Sequence, residues 1–241
     1  MAREIKSMKS DDDAAPSERL ADEIQRSIVL GEYPVGSWLR HGTLAEEYGI
    51  SRTPVREALR ILQARGAVEI QRNRGARVRG QSPRDMRELV DLRAELEGYA
   101  AALAADNARD DQLDRLQASE RDYARAIEAF AKKPRGAARE KAGARWSKAN
   151  QEFHEVIQEA SGNRQLRAAI RDVYRRLPPN IGYAAFSNDS RVLLRSIEEH
   201  TEVADAIRNR EPEVARNAMR GHISRAGERS VRWFEDQIQL D

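Results

Sequence analysis

From Pro83 onward, the chain shows only the three-to-four-residue apolar spacing of amphipathic helices. Turn and helix-ending signals divide this stretch at Asn107, at residues 132–136, 161–163 and 178–179, and at Pro212. The intervening segments predict helices over residues 83–106, 110–131, 138–160, 163–177, 189–209 and 212–238. Short connections between long helices favour an antiparallel bundle. The sequence therefore predicts a mainly α protein whose C-terminal part is a bundle of six or seven helices.

The residues before this stretch carry a different pattern. Helical periodicity starts at Ser17 and ends near Gly31, and a second helix is expected up to Gly49, opened by the capping-box spacing of Thr43 and Glu46. A third helix is predicted over residues 51–65, where Pro54 is tolerated because it falls in the first turn. Apolar alternation on both sides of a turn at residues 73–75 then predicts a small β-hairpin. Three helices followed by a hairpin form a winged helix-turn-helix.

These patterns predict the domain organisation. Residues 1–16 are polar and aperiodic, which is typical of a disordered leader. Residues 17–80 form the winged helix-turn-helix, and residues 81–241 form the helical domain, with Gln81, Ser82 and Pro83 as linker and cap. A chain of 241 residues is long enough for two domains of this kind.

Composition excludes several classes of function. The chain has no cysteine, so disulfides, thiolate metal sites and cysteine nucleophiles are ruled out. Aromatic residues make up only 5% of the chain, which suits slender helical cores. We find no apolar run near the roughly 20 residues that span a bilayer and no signal-peptide core. We therefore expect a cytoplasmic protein without membrane association.

Positive charge is concentrated in the winged helix-turn-helix. Nine arginines and four glutamates lie between Arg40 and Arg79, a balance that is typical of a surface that binds a phosphate backbone. In the third helix, Val55, Leu59 and Leu62 form the apolar stripe, whereas three arginines share another face. Arginine at the start of such a helix can donate two hydrogen bonds to guanine in the major groove. The alternative is a solvated basic surface without a partner.

The basic residues of this domain fall in two places. The helix face carries Arg52, Arg56 and Arg60, and the hairpin carries Arg74 and Arg77 around Gly75. We expect the hairpin tip to lie beside the minor groove, with the glycine permitting close approach. Double-stranded DNA is therefore the predicted partner.

Three of the four histidines have spacings that suit a metal site. Glu211 belongs to a turn signal at residues 209–212. His200 lies eleven residues before Glu211, and His222 lies eleven residues after it. Two antiparallel helices meeting there would bring both imidazoles to the same depth, about 16 Å from the turn at about 1.5 Å per residue. His154 follows Asn150 by four residues, so both side chains share one helix face. The alternative is that these are buried polar groups with ordinary hydrogen-bond partners; the fourth histidine, His41, is given no metal role.

The N-terminal part resembles the DNA-binding domain of the GntR family of bacterial transcription regulators over about residues 18–79. The resemblance rests on LAEEYGISRTPVREALRIL at 44–62, GAV at 66–68 and NRGA at 73–76. It implies DNA contacts from Arg52, Thr53 and Arg56, Gly75 at the wing tip, and binding as a dimer to a short inverted repeat. The chain departs from the family at His41 and Gly42, so the operator sequence does not carry over.

Residues 83–235 resemble the FCD effector domain of the FadR-like branch. The matching segments are LRAELE at 92–97, FH at 153–154, ASGN at 160–163, and EH at 199–200 with His222. In the metal-containing group, a carboxylate and three histidines hold the ion, which implies a site of Asn150, His154, His200 and His222 here. An amide oxygen is a weaker, neutral donor, and a set of three imidazoles with an amide suits Zn²⁺ or Ni²⁺.

The resemblance also implies a small carboxylate effector, with Arg93 as a bidentate partner for it. The alternative for Arg93 is an ion pair with Glu97, four residues later on the same helix. We therefore expect a ligand-responsive repressor that is a homodimer and not an enzyme. Two alternatives stay open, a regulator that senses the metal itself and, less favoured, a metallohydrolase tethered to DNA, which lacks an evident general base because Glu155 and Glu199 only neighbour the histidines.

Overall fold

The computed structural model describes residues 15–29, 31–72, 74–79, 82–132, 135–177 and 190–239. Most of the predicted leader lies outside the described residues. The chain divides into two compact units, one holding the N-terminal residues through Met86 and the other most of the chain from Arg87 to Arg232. Each unit has its own apolar core.

The N-terminal unit contains three helices and a small antiparallel sheet. Its elements are α1 (Pro16–Val29), β1 (Trp38–Leu39), α2 (His41–Tyr48), α3 (Arg52–Ala64), β2 (Val68–Gln71) and β3 (Gly75–Val78). The strand order is β1-β3-β2, with Glu69 opposite Arg77 in the hairpin and Leu39 opposite Ala76 at the other edge. The predicted winged helix-turn-helix is confirmed. The hairpin gains a third strand, β1, which the sequence analysis did not predict because two residues are too short to show alternation.

The core of this unit forms as the sequence pattern indicates. Val55, Leu59 and Leu62 of α3 are completely buried. They pack in one apolar cluster with Leu20 and Ile24 of α1. The side of α3 that carries the arginines is thereby left for solvent.

One predicted helix start is wrong. Helix α2 begins at His41, with Arg40 at its N-cap and no side-chain cap hydrogen bond, so Thr43 does not open it. The carbonyl of Arg40 already accepts a helical hydrogen bond from the Leu44 amide, at 3.0 Å. The physical reason is β1: the strand ends at Leu39, and the chain passes directly into the helix without a loop in which Thr43 could act as a cap.

The remaining helices follow the predicted segments to within one residue at each end. They are α4 (Pro83–Asn107), α5 (Asp110–Ala131), α6 (Ala137–Ala160), α7 (Arg164–Arg176), α8 (Ser190–Arg208) and α9 (Pro212–Gln239). Six helices thus follow the winged helix-turn-helix among the described residues, in agreement with the expected six or seven. The predicted break at residues 178–179 lies outside them.

The core of the second unit is rich in alanine. Ala101, Ala104 and Ala105 of α4 are completely buried and belong to the same cluster as Phe153 of α6 and Ile207 of α8. Small side chains allow helices to pack closely, which is how a chain with few aromatics forms a dense interior. This cluster lies next to the histidines described below.

The turn between α8 and α9 is fixed by Arg210. This residue adopts a left-handed backbone conformation, with φ 59°, and ends α8. Its guanidinium donates to the carbonyl oxygens of Ala105 and Ala108 at the end of α4, at 3.1 and 2.7 Å. These bonds satisfy helix-terminal carbonyls that would otherwise lack partners. They also tie the turn to α4, which fixes where α8 and α9 meet.

Candidate metal centre and nucleic-acid interface

Three imidazole rings converge inside the helical unit. His154 of α6, His200 of α8 and His222 of α9 are all buried. Their ring centroids lie 4.5 to 5.8 Å apart, and one nitrogen from each ring can be chosen so that all three lie within 4.8 Å of one another. The turn at residues 209–211 brings His200 and His222 together, with ring centroids 4.5 Å apart in an edge-on arrangement, as their equal distance from Glu211 indicated.

Each ring is oriented by an acceptor at its Nδ1 atom. His154 Nδ1 lies 2.6 Å from Glu97 Oε2, and His222 Nδ1 lies 2.9 Å from Glu199 Oε2. His200 Nδ1 lies 2.7 Å from the carbonyl oxygen of Ser196. Since a carbonyl accepts only, and both glutamates are ionised, each Nδ1 carries the hydrogen and donates it. The neutral ring then has its lone pair on Nε2, which is the tautomer that a metal-binding histidine requires.

The electrostatics keep the rings of His200 and His222 neutral. Burial lowers the pKa of His200 well below its usual value, and the charges that His222 and His154 would carry lower it further. Burial also lowers the pKa of His222, against the opposing effect of its hydrogen bond to Glu199. Three imidazoles this close cannot all be protonated in a buried space. The three rings are therefore available as electron-pair donors.

Two buried glutamates stand behind the rings, and each is held by an arginine. Glu97 Oε1 accepts from Arg93 Nε, and Glu199 Oε1 accepts from Arg225 Nε, both at 2.6 Å. Burial raises the pKa of Glu97, but Arg93 and His154 outweigh it and hold that pKa well below its usual range. The pKa of Glu199 is also lowered, because hydrogen bonds from His222 and Arg225 offset the effect of burial. Both carboxyls are thus anions.

The role of these glutamates was missed by the sequence analysis. From the sequence, Glu97 was considered only as an ion-pair partner for Arg93, and Glu199 was considered only as a poorly placed general base. A usable signal was present, since Glu199 adjoins His200 and lies about two and a half helical turns before the end of α8, near the turn that also places His222. Such outer carboxylates orient metal-binding histidines and strengthen them as donors.

Asn150 adds a fourth polar side chain to the group. Its amide oxygen, Oδ1, lies 3.1 Å from His200 Nε2, so the predicted fourth ligand is next to the three rings. His154 Nε2 is buried and has no hydrogen-bond partner within the part of the chain that is described. An unsatisfied buried acceptor aimed at two other imidazoles costs free energy unless a further group fills the space. A divalent cation fits these donors.

The walls around the rings are aromatic and apolar. Tyr123 stacks on His200 with centroids 3.7 Å apart, and its hydroxyl bonds to Ser196 Oγ at 2.7 Å. Phe153 packs against both His154 and His200. These contacts lock the rings in place and lower the local dielectric, which strengthens electrostatic interactions inside the group.

Arg93 lies behind the histidines and is already engaged. Besides its ion pair with Glu97, its guanidinium sits 5.1 Å from the centroid of the Tyr174 ring. The alternative stated for Arg93 is therefore realised in the structure. An effector contact by Arg93 stays a prediction, because the remaining guanidinium nitrogens of a side chain paired through Nε can still donate.

The second candidate site is the exposed face of α3. Arg52, Thr53, Arg56 and Arg60 are all exposed there. Glu57 lies between two of them, 3.0 Å from Arg60 and 3.9 Å from Arg56. Such exposed ion pairs are weak, so both guanidiniums remain able to turn toward another anion. The structure thus presents the basic helix that the sequence indicated.

On the wing, Arg74 is exposed whereas Gly75 is buried. A Cβ at Gly75, where φ is 105°, would lie 2.5 Å from the carbonyl oxygen of Leu39. Close approach of β1 is therefore reason enough for a glycine, and a DNA contact by Gly75 stays a prediction. Arg77 lies within β3, opposite Trp38, and not at the tip.

A cleft on this unit includes residues that the sequence analysis did not select. Trp38, Arg40 and His41 line it together with Arg74 and Gly75. Two of these side chains are cationic and one is an exposed indole. They extend the basic surface from α3 toward the wing. No helix within the described ranges is long and apolar enough to cross a membrane.

In this chain, a winged helix-turn-helix with an exposed basic helix, α3, is joined to a helical unit that contains a buried histidine group. This combination is typical of bacterial transcription regulators. Residues 16–78 match the bacterial regulatory proteins of the gntR family, and residues 88–225 match the FCD domain. The chain belongs to the GntR family and carries an FCD domain.

Named relatives agree with this assignment. The probable D-xylose utilization operon transcriptional repressor of Paenarthrobacter nicotinovorans is 29% identical over 206 residues, which cover 86% of this chain and 84% of the relative. The gluconate operon transcriptional repressor of Bacillus subtilis (strain 168) is 37% identical over 86 residues, about a third of each chain (36% and 35%).

The fold has solved counterparts. The structure of McbR/YncC from E. coli superposes with a TM-score of 0.64 at 23% identity, covering 93% of this chain and 99% of that one. At that level of identity the comparison shows the fold alone. Taken with the family match, the protein is a transcriptional regulator.

Proposed function

We propose that this protein is a ligand-responsive repressor that leaves its operator when a small carboxylate binds at a divalent metal in the helical unit. The observation that supports this most directly is the His154, His200 and His222 group. Its rings are oriented through Nδ1, and the Nε2 atom of His154 has no hydrogen-bond partner among the residues that the structure describes. Asn150 completes the donor set. Two of the relatives are named as repressors, and repression is the mode of action that we propose.

Zn²⁺ or Ni²⁺ suits three imidazoles and an amide best, because both ions bind imidazole nitrogens and can keep open coordination positions for a further ligand. When bound, such an ion supplies a Lewis acid to which a carboxylate oxygen can coordinate. Glu97 and Glu199 hold the rings in place, and Tyr123 and Phe153 exclude water from one side. Arg93 is the group that we assign to the carboxylate as a further hydrogen-bond donor.

We assign DNA binding to residues 17–80 and effector binding and dimerisation to residues 81–241. The DNA-binding residues of the proposal are Arg52, Thr53, Arg56, Arg60, Arg74 and Gly75. A homodimer would place two copies of α3 on the halves of an inverted repeat, and its geometry sets their separation. We propose that the dimer has two geometries, one that fits the operator and one that does not. The effector changes operator affinity only to the extent that it binds one geometry more tightly than the other. The protein would act in the cytoplasm, without enzymatic activity.

Sensing of the metal itself is the second candidate, since the histidine group supports metal binding with or without an organic ligand. A DNA-tethered hydrolase has less support. Both buried glutamates are committed to Nδ1 atoms and arginines, and Glu155 bonds to Gln151 at 2.8 Å, so none of these carboxylates is placed as a general base.

The proposal is tested with a duplex selected from a random library by the wild-type protein. Fluorescence anisotropy follows operator release during titration with small mono- and dicarboxylates, with Zn²⁺ present or removed by a chelator. We expect a carboxylate that releases DNA only when Zn²⁺ is present. Release by chelation or metal addition alone would instead establish metal sensing. No release by any of the acids would count against the effector role.

The His200→Ala variant supplies the matching loss of function. We expect its bound metal, measured by elemental analysis, to fall to background, with operator binding retained and release abolished. His41→Ala is the control for metal content, because this fourth histidine belongs to the other unit and should leave the metal stoichiometry unchanged. Full metal occupancy in His200→Ala would refute the site; His154→Ala checks the same point independently.

A further inference from the structure

Among the described residues, the groups that could bind a cation between the three histidine rings carry no negative charge. The nearest carboxylates, Glu97 and Glu199, each use one oxygen for a histidine Nδ1 and the other for an arginine. Their charges are therefore matched by Arg93 and Arg225 and are held on the outer side of the rings. What faces the centre is three neutral imidazoles and one amide. A divalent cation surrounded by these donors alone would be a buried and poorly compensated charge.

Hydrogen-bond accounting identifies which end of Asn150 faces His200. Because His200 Nδ1 donates to the Ser196 carbonyl at 2.7 Å, its Nε2 is an acceptor in the neutral ring. The structure places Asn150 Oδ1 3.1 Å from that Nε2, which sets two acceptors against each other; with the amide turned over, its NH₂ donates to Nε2 instead. Amide oxygen and nitrogen have nearly the same shape, so hydrogen bonding decides the assignment.

Asn150 therefore competes for the same His200 lone pair that a cation needs. To serve as a ligand itself, the amide must give up this hydrogen bond and turn its oxygen inward by about half a rotation, since an amide NH₂ cannot act as a donor to a metal. An aspartate at this position would offer an oxygen in either orientation and would add the missing negative charge.

We propose that Asn150 makes cation binding in this group conditional on an anionic ligand. A carboxylate from solution supplies the charge that Asn150 lacks and an oxygen that needs no rearrangement of the amide, so cation and carboxylate bind with positive cooperativity and each binds weakly alone. By linkage, the factor by which the carboxylate tightens cation binding equals the factor by which the cation tightens carboxylate binding. This inference rests on the metal centre of the proposed function and assigns the property to one residue.

The test measures Zn²⁺ affinity by competition with a chromophoric chelator, with and without saturating acetate, for the full-length protein. For the wild type we expect acetate to tighten Zn²⁺ binding by about tenfold or more, within the usual range of coupling between two ligands. For Asn150→Asp we expect tighter Zn²⁺ binding without acetate, and an acetate effect of less than about threefold.

Two further variants make the result specific. Gln151→Glu adds the same charge at the next, exposed position of α6 and should retain the wild-type acetate effect. Asn150→Ala removes the competing amide without adding charge, and it should also retain that effect. Circular dichroism verifies that all variants are folded.

The outcomes separate this inference from the function on which it rests. Tight Zn²⁺ binding that acetate does not change, or an undiminished acetate effect in Asn150→Asp, overturns the role of Asn150 and leaves the metal centre standing. Absence of Zn²⁺ binding to the wild type under every condition overturns both. Cooperative binding of Zn²⁺ and acetate without operator release supports the role of Asn150 and refutes only the regulatory proposal.

Discussion

On α3, the exposed Arg56 lies between residues that fill the core. Val55 and Leu59, on either side of Arg56, are completely buried, whereas the Arg56 side chain is 57% exposed. Its nearest carboxylate, that of Glu57, is 3.9 Å away and also exposed, so the guanidinium is not committed to a protein partner. A guanidinium in this position can form a bidentate pair with guanine in the major groove.

We therefore expect Arg56→Ala to weaken specific operator binding by about 1–3 kcal/mol, if the side chain contacts a base. Affinity for random duplex should change little, and the test is a mobility-shift titration at fixed salt with both DNAs. Arg125→Ala is the control, because it removes one exposed arginine charge from α5. An equal loss on both DNAs would instead assign Arg56 to a phosphate, and unchanged affinity would reject a DNA role.

Among the secondary-structure elements, the long helices with regular apolar spacing were predictable from the sequence, whereas the two-residue strand β1 was not. The six later helices carry enough turns for their apolar spacing and Pro or Gly breaks to define them, and their ends are confirmed to within one residue. Strand β1 has two residues and exists because β3 pairs with it, so it depends on a contact distant in sequence. The wrong start of α2 has the same cause.

The site divides in the same way between local and distant information. Spacing from one turn was enough to place His200 opposite His222, because both lie on helices that meet there. The partners of the rings were not predictable, since Glu97 reaches His154 from another helix 57 residues away. Only coordinates show that both carboxylates face outward, and the charge argument about Asn150 depends on this.

Helix α9 packs very closely on α4 at one glycine. A Cβ at Gly227 would lie 2.1 Å from Val90 Cγ1 and 3.0 Å from Val90 Cβ, and Val90 is buried. We expect Gly227→Ala to lower the free energy of unfolding by about 1–3 kcal/mol, because overpacking outweighs the helix propensity gained. Urea denaturation followed by circular dichroism measures this.

Two variants test the cause of that loss. Val90→Ala in the Gly227→Ala background should recover part of the stability, since it removes the methyl groups that clash, and the double-mutant cycle should show coupling. Gly221→Ala on the same helix is the control: its Cβ would meet only the end of the Arg225 side chain, which can move. Equal losses at both glycines would show that close packing on Val90 is not the reason.

For the molecule as a whole, the two separate cores suggest two responses to heat. Leu59 belongs to the core of the N-terminal unit and Phe153 to that of the helical unit, and the histidine group lies entirely in the second. A ligand that binds only folded protein stabilises it by mass action, by about 2.7 kcal/mol at a hundredfold excess over Kd. That free energy should be confined to the unit that holds the three rings.

We therefore predict two transitions in differential scanning calorimetry. With acetate present throughout, adding Zn²⁺ in place of a chelator should raise only one midpoint, by about 5–10 °C for a unit of this size. Tryptophan fluorescence assigns it in variants that keep a single indole, either Trp146 among the helices or Trp38 on the wing, with Trp233 of α9 replaced by Phe in both. In His200→Ala the shift should vanish while the other midpoint stays in place. A shift of both midpoints, or a single transition that shifts as a whole, would show that metal binding at the histidines also stabilises the winged unit. The two cores would then unfold as one cooperative structure.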